Sequence, residues 1–175
     1  MRCIPMTLAI ALISSFALAE QRHASSHVHG LNHATVVLEG NSLQISYEFP
    51  AEQLSEYDEH KHDEQGDKNH ALSEKLEEID SVFAIVRLPK NAQCKEAKVT
   101  HSVTQVTSND KEHASHYDAL IESTLECSTP NNLTNISFEP AFERFDDLEK
   151  IEVEGLLGTR ALSETLTVTS SSLAL

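Results

Sequence analysis

The sequence predicts an α+β fold in which antiparallel β-sheet predominates, with one or two short helices and a histidine- and acid-rich loop. Most apolar segments alternate with polar residues at every second position, which is the period of a half-buried strand. One segment instead spaces its apolar residues at helical intervals. The 175 residues suit a single domain with a substantial core.

The first predicted element is a β-hairpin. Apolar and polar residues alternate over 34–39 and again over 43–49. Gly40 and Asn41 stand between these runs as a two-residue turn, which is a common connection in hairpins. Pro50 follows the second run and predicts its end.

The pattern changes after this hairpin. Residues 52–69 are acidic, contain histidines and have few large apolar side chains, so we expect a solvated loop. Leu72, Leu76 and Ile79 recur at helical spacing and predict a short amphipathic helix. The sequence VFAIVRL then predicts a strand that ends at Pro89.

The second half continues with strands. The run 117–127 alternates strictly and carries Cys127 at its end, and the polar sequence SNDKEHASH before it predicts a turn. Pro140 is followed by a predicted helical turn. Further strands are predicted over 99–107, 133–138, 151–158 and 162–168, the last of which ends the predicted fold.

The N-terminus predicts export from the cytoplasm. A positive Met1-Arg2 start, an apolar run and the small-x-small sequence Ala17-Leu18-Ala19 are typical of a cleaved signal peptide. We expect a signal peptide over 1–19 and a single β-rich metal-binding domain over 20–175. Apolar runs of membrane-spanning length are not found in the predicted mature chain. These features predict a periplasmic or otherwise secreted protein.

The charge of the chain bears on its partners. Thirteen Lys and Arg residues against 28 Asp and Glu residues give a net charge of −15, and removal of Arg2 with the signal peptide would make it more negative. Such a field repels nucleic acid and anionic lipid and attracts cations. We therefore expect no nucleic-acid partner.

Two cysteines remain in the predicted mature chain, Cys94 and Cys127. In an oxidising compartment their pairing as a disulfide is the favoured interpretation. A thiolate metal site is the competing interpretation, but free thiols are consumed outside the cytoplasm.

The ten histidines are grouped rather than scattered. They stand in HVHGLNH, in YDEHKHDE and in DKEHASHYD, the last two interleaved with carboxylates. Imidazole nitrogen with carboxylate oxygen is a donor set suited to zinc first among divalent metals. Two histidines at i and i+2 point to the same side of an extended chain, whereas i and i+3 requires a helical turn or tight loop. The predicted metal ligands are His27, His29, Asp58, His60, His62, His113, His116 and Asp118.

Other interpretations remain open at this point. The YDEHKHDE sequence also fits a solvated acidic loop, and HASH fits a polar turn. His101 lies in an apolar alternation and is expected to be a hydrogen-bonded core residue, and His70 is expected on the surface. HExxH, nucleophile-elbow and phosphate-loop motifs are not found, so we do not expect an enzyme. A secreted structural or adhesion-type β-domain with incidental histidines is the alternative.

The chain also resembles a known family, the zinc-regulated periplasmic proteins called ZrgA. The resemblance is carried by the HVHG start followed by a hairpin, the two cysteines with a histidine loop between them, and FERFDDLEKIEV over 142–153. It extends from about His27 to Thr169, and His27 and His29 match the HxHG start directly. The resemblance implies a zinc-binding protein that buffers zinc or assists its delivery to a zinc ABC importer or the importer's solute-binding protein.

Overall fold

The computed structural model describes residues 30–54, 65–106 and 116–175. The strands are β1 (Leu31–Glu39), β2 (Ser42–Pro50), β3 (Cys94–Val106), β4 (His116–Cys127), β5 (Asn135–Ser137), β6 (Lys150–Leu157), β7 (Arg160–Thr167) and β8 (Ser172–Ala174). The helices are α1 (Gln65–Glu77) and α2 (Glu139–Arg144), with 3-10 helices η1 (Ala51–Leu54), η2 (Val82–Ala84), η3 (Lys90–Ala92) and η4 (Pro130–Asn132).

Six strands form one sheet in the order β3-β4-β2-β1-β6-β7, and β5 pairs with β8 in a small second sheet. All neighbours are antiparallel except β1 and β6, which run parallel. Among the described residues, sheet therefore predominates over two α-helices, and the predicted α+β class is confirmed.

The β1–β2 hairpin forms as the alternation predicts. Its turn is at Gly40 and Asn41, with Leu38 opposite Leu43 and Val36 opposite Ile45. Gly40 adopts a φ of 61°, in the left-handed region that glycine favours. The hairpin therefore presents one apolar face to the core and one polar face outward.

The parallel pair requires a close approach of two backbones. Gly155 of β6 lies opposite Val36 of β1, and a Cβ on Gly155 would lie 1.9 Å from the Val36 carbonyl oxygen. The glycine thus permits β6 to join the sheet beside the hairpin.

The inner face of the sheet is covered by the helices and the small sheet. Tyr47 and Phe49 of β2 meet Phe138 and Phe145 there, with ring centroids 4.8–6.4 Å apart, and these rings form the centre of the core. His101 also faces this side, and its Nε2 lies 2.7 Å from the carbonyl oxygen of Ile79. This contact confirms the predicted hydrogen-bonded histidine.

Several predicted elements differ in the structure. The segment VFAIVRL is not a strand, and that prediction is wrong: η2 begins after Ser81, whose hydroxyl accepts a hydrogen bond from the Phe83 amide, and Arg87 makes only an isolated bridge to Ser137. A short run of apolar residues fits either conformation when both sides are buried. Strand β7 is not the last, since β8 follows it.

Helix α1 begins at Gln65, within the predicted loop, so the predicted extent of that loop to residue 69 is also wrong. His70 is exposed on this helix, as predicted, with its Nε2 3.4 Å from the Glu74 carboxylate. Neither α1 nor α2, the two α-helices of the described residues, is long and apolar enough to cross a membrane.

Candidate metal-binding end of the sheet

The strand directions bring several chain ends to one end of the large sheet. Strands β1, β4 and β6 begin there, and β2 and β3 end there, because Pro50 pairs with Asp118 and Val106 pairs with His116. We call this the loop end of the sheet. Gly30, Leu54, Val106 and His116 flank the histidine-bearing segments and lie at the loop end, and the segment after Leu54 returns to the described chain at Gln65 of α1.

Most predicted ligands belong to those segments. Two of the predicted ligands, His116 and Asp118 on β4, lie within the described residues. The predicted ligands that lie outside the described residues are His27, His29, Asp58, His60, His62 and His113.

The two described ligands share one face of β4. His116 and Asp118 are partly exposed and alternate with the buried residues Tyr117 and Ala119, so both face outward from the core. The sequence predicted a polar turn that ends at His116, and this end is wrong, because His116 is the first residue of the strand, while residues 108–115 of the predicted turn lie outside the described residues. The i, i+2 spacing in a strand brings His116 beside Asp118 instead.

Two further side chains of the loop end were not predicted as ligands. His33 lies on the outward face of β1, opposite Glu48, and its Nδ1 is 3.6 Å from the Glu152 carboxylate. Glu52 is exposed on η1, two residues beyond Pro50, which itself lies opposite Asp118.

The pKa of the Asp118 carboxyl shows which charged side chains of the loop end act on it. Burial raises the pKa of the Asp118 carboxyl above its ordinary value, the charge of His116 lowers it, the Glu52 carboxylate raises it and His33 lowers it. The Asp118 carboxyl therefore interacts electrostatically with three side chains, one from its own strand and two from β1 and η1. We call His33, Glu52, His116 and Asp118 the His/acid cluster.

The donor types of the His/acid cluster are those of a zinc site, with two imidazoles and two carboxylates. Within 30–54, 70–106 and 116–175, however, the side chains show no group of three such residues close enough to hold one ion. The cluster thus provides ligands that need side-chain movement, or ligands from elsewhere, to complete a coordination shell.

Sequence reasoning had a usable signal for His33. Counting by twos from His29 reaches Leu31 and then His33, so a strand that starts near Gly30 presents His33 on an alternating face. No comparable signal existed for Glu52, because its position depends on how η1 packs after β2.

Gly30 fixes where the HVHG segment meets the sheet. Its φ is +77°, and a Cβ there would lie 2.9 Å from the carbonyl oxygen of Asp147. Its own carbonyl oxygen accepts hydrogen bonds from the amides of Glu149 and Lys150, at 2.8 and 2.9 Å. Glycine at this position of the HVHG motif is therefore explained by structure, because Gly30 connects the start of β1 to the start of β6 in a backbone conformation that glycine favours.

The predicted disulfide is present at the opposite end of the sheet. Cys94 of β3 and Cys127 of β4 are direct cross-strand partners and are bonded. The thiolate site considered as the alternative is therefore excluded for the oxidised protein, and the cysteines lie away from the His/acid cluster.

These observations define a class: a disulfide-bonded α+β sheet domain that carries a His/acid cluster at the end of the sheet opposite the disulfide. Comparison with known families identifies it further. The chain matches the family described as "ZrgA family zinc uptake protein" over residues 26–175, and it belongs to that family. None of the curated proteins matches the chain.

Proposed function

We propose that this protein is a periplasmic zinc-binding protein that buffers zinc or assists its delivery to a high-affinity zinc importer. Membership in a zinc uptake family supports a role in zinc handling. The observation that carries the proposal is that Gly30, Leu54, Val106 and His116, which flank the histidine-bearing segments, lie at the loop end with the His/acid cluster.

The proposed site combines a described base and predicted loop ligands. His33, His116, Asp118 and Glu52 form the base, and the segments that continue from Leu54 and Gly30 contribute the predicted histidines. Imidazole-rich sites favour zinc over magnesium or calcium because their nitrogen donors are softer than oxygen. The strongly acidic chain adds a long-range attraction for cations.

Binding and transfer, rather than catalysis, are the proposed activities. A catalytic zinc is held by three fixed protein ligands and keeps an open position for water. A carrier instead releases its ion. Ligands on separate segments favour release because they can dissociate from the ion one after another. The importer or its solute-binding protein is the proposed recipient, and the disulfide is consistent with an oxidising periplasm.

A zinc titration of residues 20–175 tests the proposal. Metal-free protein would be titrated against a competing chelator, as wild type and as the double variant His60→Ala/His62→Ala. Loss of two ligands should weaken the affinity by at least tenfold, about 1.4 kcal/mol. The unfolding free energy of the metal-free protein should change by less than about 0.5 kcal/mol, as for other surface substitutions.

His70→Ala is the matched control. It removes an exposed histidine from α1, outside the predicted ligand set, and should leave the affinity unchanged. If the double variant binds zinc as tightly as His70→Ala, the loop assignment is wrong. If wild type does not bind zinc, the structural or adhesion-type alternative replaces the proposal.

Delivery and buffering are separated by transfer kinetics. Zinc-loaded protein would be mixed with the metal-free solute-binding protein of the importer. Direct delivery makes the transfer rate rise with acceptor concentration above the rate of spontaneous release. A rate that equals spontaneous release at every acceptor concentration leaves buffering alone. Fractionation of producing cells, with N-terminal sequencing for Glu20, checks the location and the cleavage site.

A further inference from the structure

A buried amide lies directly beneath the His/acid cluster. Asn32 is the inward neighbour of His33 on β1 and is fully buried. Its Nδ2 donates two hydrogen bonds, one of 2.8 Å to the hydroxyl of Tyr47 and one of 2.9 Å to Oε1 of Gln53. Asn32 therefore joins three elements: β1, β2 and η1.

The polarity of this position is unusual for its surroundings. The next inward residues of β1, Ala34 and Val36, are apolar and buried. Among the described residues, Oδ1 of Asn32 and Nε2 of Gln53 are also buried without a hydrogen-bond partner. Buried polar atoms without partners destabilise a fold, so these two atoms count against stability. The amide is thus better explained by the geometry that it fixes.

The geometry in question is the placement of η1. Gln53 is the residue after Glu52, a member of the His/acid cluster, and it precedes Leu54, from which the chain continues toward Asp58. The bond to Asn32 holds η1 against the start of β1, where His33 is located. Burial also raises the pKa of Tyr47, so its hydroxyl stays protonated and this anchor does not titrate in the neutral range.

We propose that Asn32 is a positioning residue for zinc binding, which holds η1 through Gln53 and so keeps Glu52 at the loop end, where His33, His116 and Asp118 also lie. The inference rests on the proposed function, because it concerns the same end of the sheet. Asn32 itself has no role as a ligand. Groups that orient the ligands of a metal site commonly change its affinity by about 10–100-fold when they are replaced.

The two acceptors of Asn32 allow a matched test. Gln53→Met removes the acceptor on η1 and keeps the length of the side chain at a half-buried position. Tyr47→Phe removes the other acceptor inside the core and leaves the link to η1 intact. Asn32→Leu removes both bonds. Zinc affinity and the Tm of the metal-free protein would be measured for all three and for wild type, with zinc alone as the probe.

If Asn32 acts by positioning η1, changes in zinc affinity should not follow changes in the Tm of the metal-free protein. Gln53→Met and Asn32→Leu should weaken zinc affinity by about tenfold, whereas Tyr47→Phe should retain it within about twofold and lower the Tm more than Gln53→Met does. If Asn32→Leu does not fold, the zinc affinity of Gln53→Met still tests the inference, because this variant removes the same bond to η1.

Two results overturn the inference while leaving the proposed function intact. In one, Gln53→Met binds zinc like wild type. In the other, Tyr47→Phe weakens binding as much as Gln53→Met, so that affinity follows stability rather than the η1 link. Failure of wild type to bind zinc overturns both proposals.

Discussion

At one end of the sheet a disulfide joins strands β3 and β4, and at the other end β4 carries the proposed ligands His116 and Asp118. At the disulfide end, Cys94 is bonded to Cys127, and the Cys127 amide donates to the carbonyl oxygen of Asn41 across the neighbouring hairpin. At the loop end, His116 and Asp118 face outward beside Glu52.

The comparison shows how a small domain can keep charged ligands close together without losing its fold. Asp118 is half-buried at an unfavourable cost to its charged form, and the acidic net charge opposes compaction. The covalent bond and the aromatic core stabilise the opposite end and the centre of the sheet. Stability and proposed binding are therefore located at different ends of the same strands.

Removal of the disulfide should give the largest effect on stability. Cys94 and Cys127 are 33 residues apart, and closure of a loop of this size contributes about 3–4 kcal/mol in the chain-entropy description. We expect Cys94→Ala/Cys127→Ala to lose about that free energy of unfolding in urea titrations, while the folded variant keeps its zinc affinity within about twofold, since the bond lies at the far end of the sheet. A stable variant with impaired zinc binding would contradict the separation of the two ends.

Acidification should act on the loop end. Imidazole must be neutral to bind zinc, so protons compete with the metal near the ordinary histidine pKa of about 6.5. Between pH 7.5 and 5.5, two histidine ligands predict a fall in apparent affinity of about 100-fold, with proton release on binding. The measurement is calorimetry in buffers of different ionisation enthalpy.

Calcium provides the control for that experiment. A carboxylate-only site would keep most of its affinity over the same range, because Asp and Glu stay ionised to about pH 5. If calcium at equal concentration displaces zinc, the acidic residues form the site without the histidines, and the zinc assignment is wrong.

Local patterns in the sequence predicted many of the strands of this fold. They could not predict which strands pair when those strands are far apart in the sequence. The alternation over 43–49 identified β2 because one face packs on the core and the other does not. It does not state which strand lies alongside, and the parallel pairing of β1 with β6 joins residues more than a hundred positions apart. The grouped histidines and carboxylates predicted a donor set suited to zinc, and the family resemblance implied zinc as well.

The same limit applies to the candidate site. The grouping of histidines predicted His116 as a ligand, and its position beside Asp118 follows from β4 being a strand. The interaction of Asp118 with His33 depends on the order β4-β2-β1, which is a property of the assembled sheet. Asn32 was not predicted either, because an asparagine in an apolar alternation gives no sign of its partners.

Asp118→Asn should give the smallest effect on stability, and the effect should be a gain. Because burial raises the pKa of Asp118, the folded state binds a proton at this group more tightly than the unfolded state. Its contribution to stability is therefore present below the ordinary pKa and is lost as pH rises through the folded pKa. At pH 7 the neutral amide should raise the metal-free stability by a few tenths of a kcal/mol, after allowance for solvent screening at a half-exposed group.

The same substitution removes a predicted ligand, so zinc affinity should fall while the Tm of the metal-free protein rises. Glu122→Gln is the matched control: it removes a carboxylate from the same outward face of β4, four residues from Asp118 and away from the loop end. It should leave the affinity unchanged. The stability gain of Asp118→Asn should shrink as pH falls through the raised pKa of the wild-type carboxyl, because the carboxyl is then neutral like the amide. A loss of stability at pH 7 would contradict the electrostatic argument, and zinc binding as tight as that of wild type would contradict Asp118 as a ligand.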